Sequence, residues 1–242
     1  MDCLNIGLRS GGQFRRLHLA FSAWAARLPG AAVLDLGSGG GGPIRTMLRS
    51  AARDGTAMPL IFLSDLFPSR EHYQDLERQH GKGQLSFIPE PVSALDVGRP
   101  DIRLRSICST FHHFRPQQAT ALVRDAVEHA DGLFIAEPLQ RNLRHFLLVL
   151  LSGPIPYLLA PFTADRFEWR KLLFCTLLPI VPLLVMFDGC VSVLRTYTAK
   201  EIEAMIPPDM RPELDVSHGT LSYMGLFAAQ YSCITRRTIA HD

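Results

Sequence analysis

Lysine is nearly missing from this chain: of its 25 basic residues only Lys82, Lys171 and Lys200 are lysines. The formal charge is +2, and no long basic run occurs. A nucleic-acid partner therefore has no electrostatic footprint here. Cysteine is sparse as well. Cys3, Cys108, Cys175, Cys190 and Cys233 are odd in number and scattered. Without C-x-x-C or Cys/His ligand spacing, neither a disulfide framework nor a metal site is expected. The chain has no internal repeat and no low-complexity linker. Its first thirty or so residues lack the uninterrupted apolar stretch of a secretory leader, so none is expected and a reducing cytoplasm is the expected setting.

What is present points to one large α/β unit, and residues 1–242 are read as a single domain. Hydrophobic residues make up 47% of the chain, enough for a sizeable core and far from a disordered composition. FRRLHLAFSAWAARL (Phe14 to Leu28) has the spacing of an amphipathic helix. AAVLDLG is a short apolar run ending in glycine, as a strand buried on both faces should be. A helix from Pro43, a strand PLIFLSD (Pro59 to Asp65) and a polar helix around HYQDLERQ follow. QLSFIPEPV and IRLRSICST are the third and fourth strand candidates. Gln117 to His129 has helical spacing, and GLFIAEPL (Gly132 to Leu139) is the fifth strand. This alternation argues for a parallel sheet covered on both faces. Near the end, Thr198 to Ile206 opens with a capping-box pattern, and Glu213 to Thr238 can form a closing hairpin at the sheet edge.

VLDLGSGGGGP (Val33 to Pro43) carries the chemistry. Its glycines let backbone approach a ligand without Cβ obstruction. Gly37, Gly39 and Gly42 alone also satisfy the dinucleotide fingerprint G-x-G-x-x-G. The acidic Asp35 separates the two readings: a carboxylate suits a cationic amino-acid moiety and repels a pyrophosphate. Asp35-Leu-Gly37-Ser-Gly39-Gly-Gly41 resembles the E/D-x-G-x-G-x-G signature of class I S-adenosylmethionine-dependent methyltransferases. STFHHFRPQQA (Ser109 to Ala119) resembles the "LHH" stretch that follows strand four in many small members of that family. Together these segments cover roughly residues 31–140.

The resemblance implies a Rossmann-like, doubly wound, mostly parallel seven-stranded sheet and S-adenosylmethionine as cofactor. It assigns Asp35, Gly37, Ser38, Gly39 and Gly41 to the cofactor loop and Asp65 with Leu66 to the ribose side. Ser93 and Ala94 fall where the family usually carries an acidic residue beside adenine, a departure from its pattern. Ser109 falls beside the sulfonium. A methyl transfer to a hydroxyl needs a base, and His112, His113 and Glu137 are the candidates. Each has a structural alternative: the histidines as packing groups of their loop, Glu137 as a buried carboxylate satisfied by backbone or Arg141.

FLLVLLSGPIPYLLAPF (Phe146 to Phe162) and LLFCTLLPIVPLLVMF (Leu172 to Phe187) make residues 141–195 an apolar helical insertion beyond the family core. Both runs fall short of the roughly 20 apolar residues of a membrane span. Prolines at 154, 156, 161, 179 and 182 interrupt them. A connector with Arg166, Arg170 and Lys171 would also violate the positive-inside tendency if exported. A soluble lid, a homodimer interface, an enlarged core and a shallow insertion into the inner leaflet remain open. In the leaflet reading Arg141, Arg144, Arg170 and Lys171 meet anionic headgroups. Lid and leaflet both imply a small hydrophobic or lipid-like acceptor. FDGCVSVLRTYTAKEI (Phe187 to Ile202) is similar to a stretch in some small bacterial methyltransferases with such an insertion. Arg195 and Tyr197 there can contact the acceptor or anchor the insertion.

An NAD(P)-dependent oxidoreductase is the enzymatic alternative, although none of the three lysines has a tyrosine four residues before it. A membrane-associated protein that keeps the fold without catalysis is the other.

Overall fold

The computed structural model describes residues 12–98, 101–152, 154–155, 157–159, 169–223 and 225–237. Strand β1 (Val33–Leu36) is buried along its whole length. It pairs in parallel with β2 (Ile61–Ser64) on one side and β4 (Leu104–Cys108) on the other. Beyond them lie β3 (Leu85–Phe87) and β5 (Gly132–Glu137), also parallel. β3 is shorter than the run QLSFIPEPV predicts, because Pro89 and Pro91 cannot donate to a ladder. The hairpin of β6 (Leu214–Tyr223) and β7 (Phe227–Arg236) closes the sheet, with β7 antiparallel to β5 and β6 at the edge.

The seven strands run in the order β3-β2-β1-β4-β5-β7-β6. The succession of strands runs outward in opposite directions from β1 and from β4, so the topological switch point, where open α/β sheets bind ligands, lies at their carboxyl ends. Alternation along β1 divides the core. Val33 joins Phe21 and Trp24 of α1 (Leu17–Ala25), Met47 of α2 (Gly42–Asp54) and Tyr73 of α3 (Arg70–His80) on one face. Leu34 joins Leu122 and Val123 of α4 (Pro116–His129) and Ile202 of the short helix Ala199–Ala204 on the other. The edge-on pair Phe21–Phe134, at 5.1 Å between centroids, ties α1 to β5 and adds about 1 kcal/mol beyond its area burial.

Between β5 and Thr198 the chain leaves the sheet. α5 (Leu143–Ser152) is followed later by a turn of helix at Trp169–Lys171, a π-helical stretch Leu172–Leu177, and α6 (Ile180–Arg195). The connector residues 160–168, with Thr163 and Arg166, lie outside the described residues, as do Cys3, Pro156 and Pro161. Among the described residues no single helix is long and apolar enough to cross a membrane. Trp169–Leu177 and α6 would suffice together, but they are bent by 59° at Leu178–Pro179.

Candidate active site

The glycine loop joins β1 to α2 at the switch point. Gly37, Gly39 and Gly41 all have positive φ, between 54° and 66°, a region that side-chain-bearing residues enter only with strain. Space demands glycine at two of them for different reasons. A Cβ on Gly41 would lie 2.7 Å from Leu76, and one on Gly37 would lie 2.9 Å from Thr110. At Gly39 there is nothing within 4 Å: that position opens outward, a cradle where a ligand can touch backbone.

Asp35 lies beneath this loop. Ser106 donates to one carboxylate oxygen and Ser38 to the other, each at 2.6 Å, and the Ser64 hydroxyl caps the Asp35 carbonyl at 2.8 Å. Burial pushes its carboxyl up to about 6 against these hydrogen bonds, with the nearby Asp65 adding to the rise. Both of its oxygens are thus engaged by the chain's own hydroxyls, and Asp35 braces the loop from below. The serines of this shell are scattered in sequence: Ser38 in the glycine loop, Ser64 at the end of β2 and Ser106 in the middle of β4.

Asp65 stands at the end of β2, half-buried. Its carboxylate accepts from the Gly39 N–H at 2.8 Å and from the Phe67 N–H at 2.9 Å. Leu66 and Phe67 beside it are 50% and 83% exposed, an apolar shelf next to a carboxylate. The Ser93–Ala94 turn reaches the same place: Val92 N–H donates to the Asp65 carbonyl, and Ser93 pairs with Asp96 across the turn. Ser93 caps its own turn at Leu95 N–H.

After β4, Ser109 takes φ +61°, the one non-glycine residue with positive φ among those described. Strain of this kind is held in place by its surroundings, here by a bond from Ser109 N–H to the Ala136 carbonyl. It throws Phe111–His113 into a tight helical turn against β5. There His112 and Glu137 form a buried pair. Glu137 accepts from the His112 backbone N–H at 3.0 Å and faces its Nδ1 at 2.8 Å. Only 6% of His112 and 3% of Glu137 are exposed. A carboxylate at Nδ1 fixes the proton there and leaves Nε2 as the basic nitrogen. The alternative partner for Glu137, Arg141, is elsewhere, bonded to Glu201. His113, by contrast, is exposed. Its ring sits 4.2 Å from that of His112, and partial desolvation with the neighbouring His112 holds its pKa down. The structure thereby separates two histidines that the sequence leaves equivalent.

His112, His113, Ser109 and Glu137 line one cavity of about 300 Å³. Its far wall comes from the apolar segment, through Tyr157 and the inner face of α6 at Asp188, Gly189 and Ser192. Gln13 borders it too, with an Oε1 that is buried and has no hydrogen-bond partner. None of Gln13, Tyr157, Asp188 or Ser192 carries a sequence signal, since each reaches the cavity by long-range packing. Arg195 and Tyr197 act as anchors rather than cavity walls. Arg195 donates to the carbonyls of His112 and His113 at 3.0 and 2.7 Å, and Tyr197 donates to that of Phe114 at 2.8 Å.

No protein-family model matches the sequence, and no curated protein does. The fold is similar to that of magnesium protoporphyrin IX methyltransferase from Synechocystis PCC 6803, solved with bound SAH (S-adenosylhomocysteine). The identity is 14%, with 93% of this chain and 84% of that one covered and a TM-score of 0.54. It is similar also to the plantazolicin methyltransferase BpumL in complex with SAH, at 12% identity, 97% and 89% coverage and a TM-score of 0.54. A third likeness, at 16% identity, 91% and 80% coverage and a TM-score of 0.53, is to a structure from the conversion of a disulfide bond into a thioacetal group during echinomycin biosynthesis. These likenesses establish the architecture, that of the class I S-adenosylmethionine-dependent methyltransferases.

Proposed function

We propose that this chain, built on the class I methyltransferase fold, is an S-adenosylmethionine-dependent methyltransferase that methylates a hydroxyl group of a small hydrophobic or lipid-like acceptor. The observation that carries the reading is the buried His112–Glu137 pair on the wall of a cavity, a few residues along the same loop from strained Ser109 and from Thr110, which bonds the glycine loop at Gly37.

The residues present fit the cofactor. Gly39 offers open backbone, the Asp65 carboxylate is placed to accept from ribose hydroxyls, and the exposed Leu66 and Phe67 suit an adenine face. The braced Asp35 keeps the loop rigid and adds negative potential below a cationic ligand. When bound, S-adenosylmethionine supplies an activated methyl group on a good leaving group. The protein then has to position the acceptor and take up its proton. His112, with Nδ1–H held by Glu137, has Nε2 free to accept the hydroxyl proton. Glu137 stabilises the imidazolium that forms, as a carboxylate does for an imidazole in other acid–base pairs. Ser109, Ser192 and Asp188 supply the polar contacts that orient the reacting end. Tyr157 and Leu139 supply the apolar ones. A cavity of about 300 Å³ holds only the reacting end of a long acceptor, whose remainder would run along the apolar segment.

Calorimetric titration with S-adenosylhomocysteine, and in parallel with NADH and NADPH, tests the cofactor. Saturable binding to the first alone supports the reading. Binding only to a reduced nicotinamide would overturn it, and silence from all three would favour a non-catalytic protein on this fold.

A further inference from the structure

Helix α5 is built inside out. Its one buried residue is His145, while Leu143, Leu147, Leu150 and Leu151 are exposed. His145 is held inward by the Gln140 N–H, which donates to its Nδ1 at 2.8 Å. α6 repeats the pattern. Pro182, Cys190 and Val193 face inward, whereas Leu183, Leu184, Phe187 and Leu194 form an exposed stripe at helical spacing. The two helices are locked together by a small-residue contact, with Gly189 against Val149 where a Cβ would come within 2.8 Å. Phe174 and Leu177 are exposed as well, so each helical stretch of this segment presents large apolar side chains outward.

The charges of this region choose its occupant. Among its described residues the charged ones are Arg141, Arg144, Arg170, Lys171, Asp188 and Arg195, five cationic and one acidic. Asp165 and Glu168 lie outside the described residues, with Arg166 between them in sequence. Arg144 and Arg170 are exposed, and Arg170 stacks over the ring of the exposed Trp169 at 5.6 Å. Exposed tryptophan, leucine and arginine on short, bent helices are the composition of an interfacial membrane anchor. A two-fold dimer through the same face would instead bring like cationic patches together.

We propose that this face, α5, the Trp169–Leu177 stretch and α6, docks into one leaflet of a bilayer containing anionic lipid. Cations at its edge meet the headgroups, and its leucines lie at the acyl boundary. α6 then borders the lipid on one side and the His112 cavity on the other. The docking goes beyond the methyl-transfer reading and does not depend on it.

The chain carries its own reporter, because its only other tryptophan, Trp24, is buried. The purified chain is mixed with phosphatidylcholine vesicles and with vesicles containing about one-third phosphatidylglycerol. Trp169 emission should shift to the blue and the chain should float with the anionic vesicles, less at high salt. The Trp169→Phe variant should float without the shift. Leu183→Ser with Phe187→Ser should weaken binding to both vesicles about tenfold. Arg144→Gln with Arg170→Gln should lower the preference for anionic vesicles about tenfold. Circular dichroism and the urea midpoint of each variant report folding separately from lipid. Failure to float on either vesicle, or self-association abolished by the leucine and phenylalanine changes, would overturn the proposal.

Discussion

The glycine-loop region and the apolar segment solve opposite problems on one chain. Around β1 the polar groups are satisfied internally: Asp35 by two serines, Asp65 by two backbone N–H groups, Glu137 by His112. Such a site is organised before any ligand arrives and has little freedom to adapt. In the segment 141–195 a histidine is buried on α5 while leucines face outward. The first region is complete as a scaffold. The second leaves large apolar side chains exposed, and the proposed leaflet docking rests on them.

Breaking the first region should give the largest effects. Asp65→Ala removes the proposed acceptor for ribose hydroxyls and the tether of Gly39. Losing two charge-assisted hydrogen bonds at about 2 kcal/mol each predicts roughly 10³-fold weaker S-adenosylhomocysteine binding. Vesicle binding should not change. A loss below about tenfold by calorimetry would show that Asp65 is only a turn residue.

Asp35→Asn probes the same loop through pH. The folded-state carboxyl is raised from 3.8 to about 6, chiefly by burial, so the native state holds that proton more tightly than the unfolded chain. The stabilisation from protonated Asp35 is full below about pH 4 and is lost as pH rises through about 6. Two units correspond to roughly 3 kcal/mol. The stability of the variant relative to the parent should therefore climb by about that much between about pH 4 and pH 7. Urea midpoints at steps across the window measure it, and a flat difference would refute the burial account of Asp35.

Next in size is His112→Ala, expected to lower turnover about 10²-fold with S-adenosylhomocysteine affinity unchanged. Glu137→Gln should follow it, because the amide can present its N–H₂ to Nδ1 and favour the wrong tautomer. Equal loss in His113→Ala would undo the distinction between the two rings.

The glycine-loop region was far more legible in sequence than the apolar segment, and the reason is physical. Strand burial, glycine conformations and the Asp35–Gly41 spacing are local, so residues 33–65 announce a β-loop-α-β unit before any packing is known. The same alternation argues for the parallel sheet, though not for its strand order. The structure alone pairs His112 with Glu137, since β4 and β5 bring together groups 25 positions apart. Sequence composition marks residues 141–195 as apolar but leaves lid, dimer interface, enlarged core and leaflet open. The outward turn of Leu143, Leu147 and Leu151 around inward His145 is a packing fact that composition does not carry. Arg195 and Tyr197 were ambiguous between acceptor and anchor for the same reason: their partners are carbonyls, which carry no residue-type signal.

The smallest effect sharpens the comparison most, because it asks whether the two regions are coupled. Two arginines of the described segment reach outside it. Arg141 pairs with Glu201, whose carboxyl is held at about 2, first by that guanidinium and then, against some desolvation, by Thr198. Both side chains are more than a third exposed, at 37% and 40%, so solvent screening leaves the pair worth about 0.5 kcal/mol. Arg195 differs: it donates to two main-chain carbonyls of the His112–His113 turn and fixes where the His112 ring sits. Arg195→Met keeps the aliphatic stem and removes both bonds. It should lower turnover about tenfold through misplacement of the base, while Arg141→Met should cost no more than about twofold. If the loss is positional, turnover should fall with S-adenosylhomocysteine affinity intact, and Arg195→Lys, which retains a charge but not the fork, should recover only part of it. Equal and small effects from Arg195→Met and Arg141→Met would mean that the segment merely borders the site and that movement of α6 is not felt at His112.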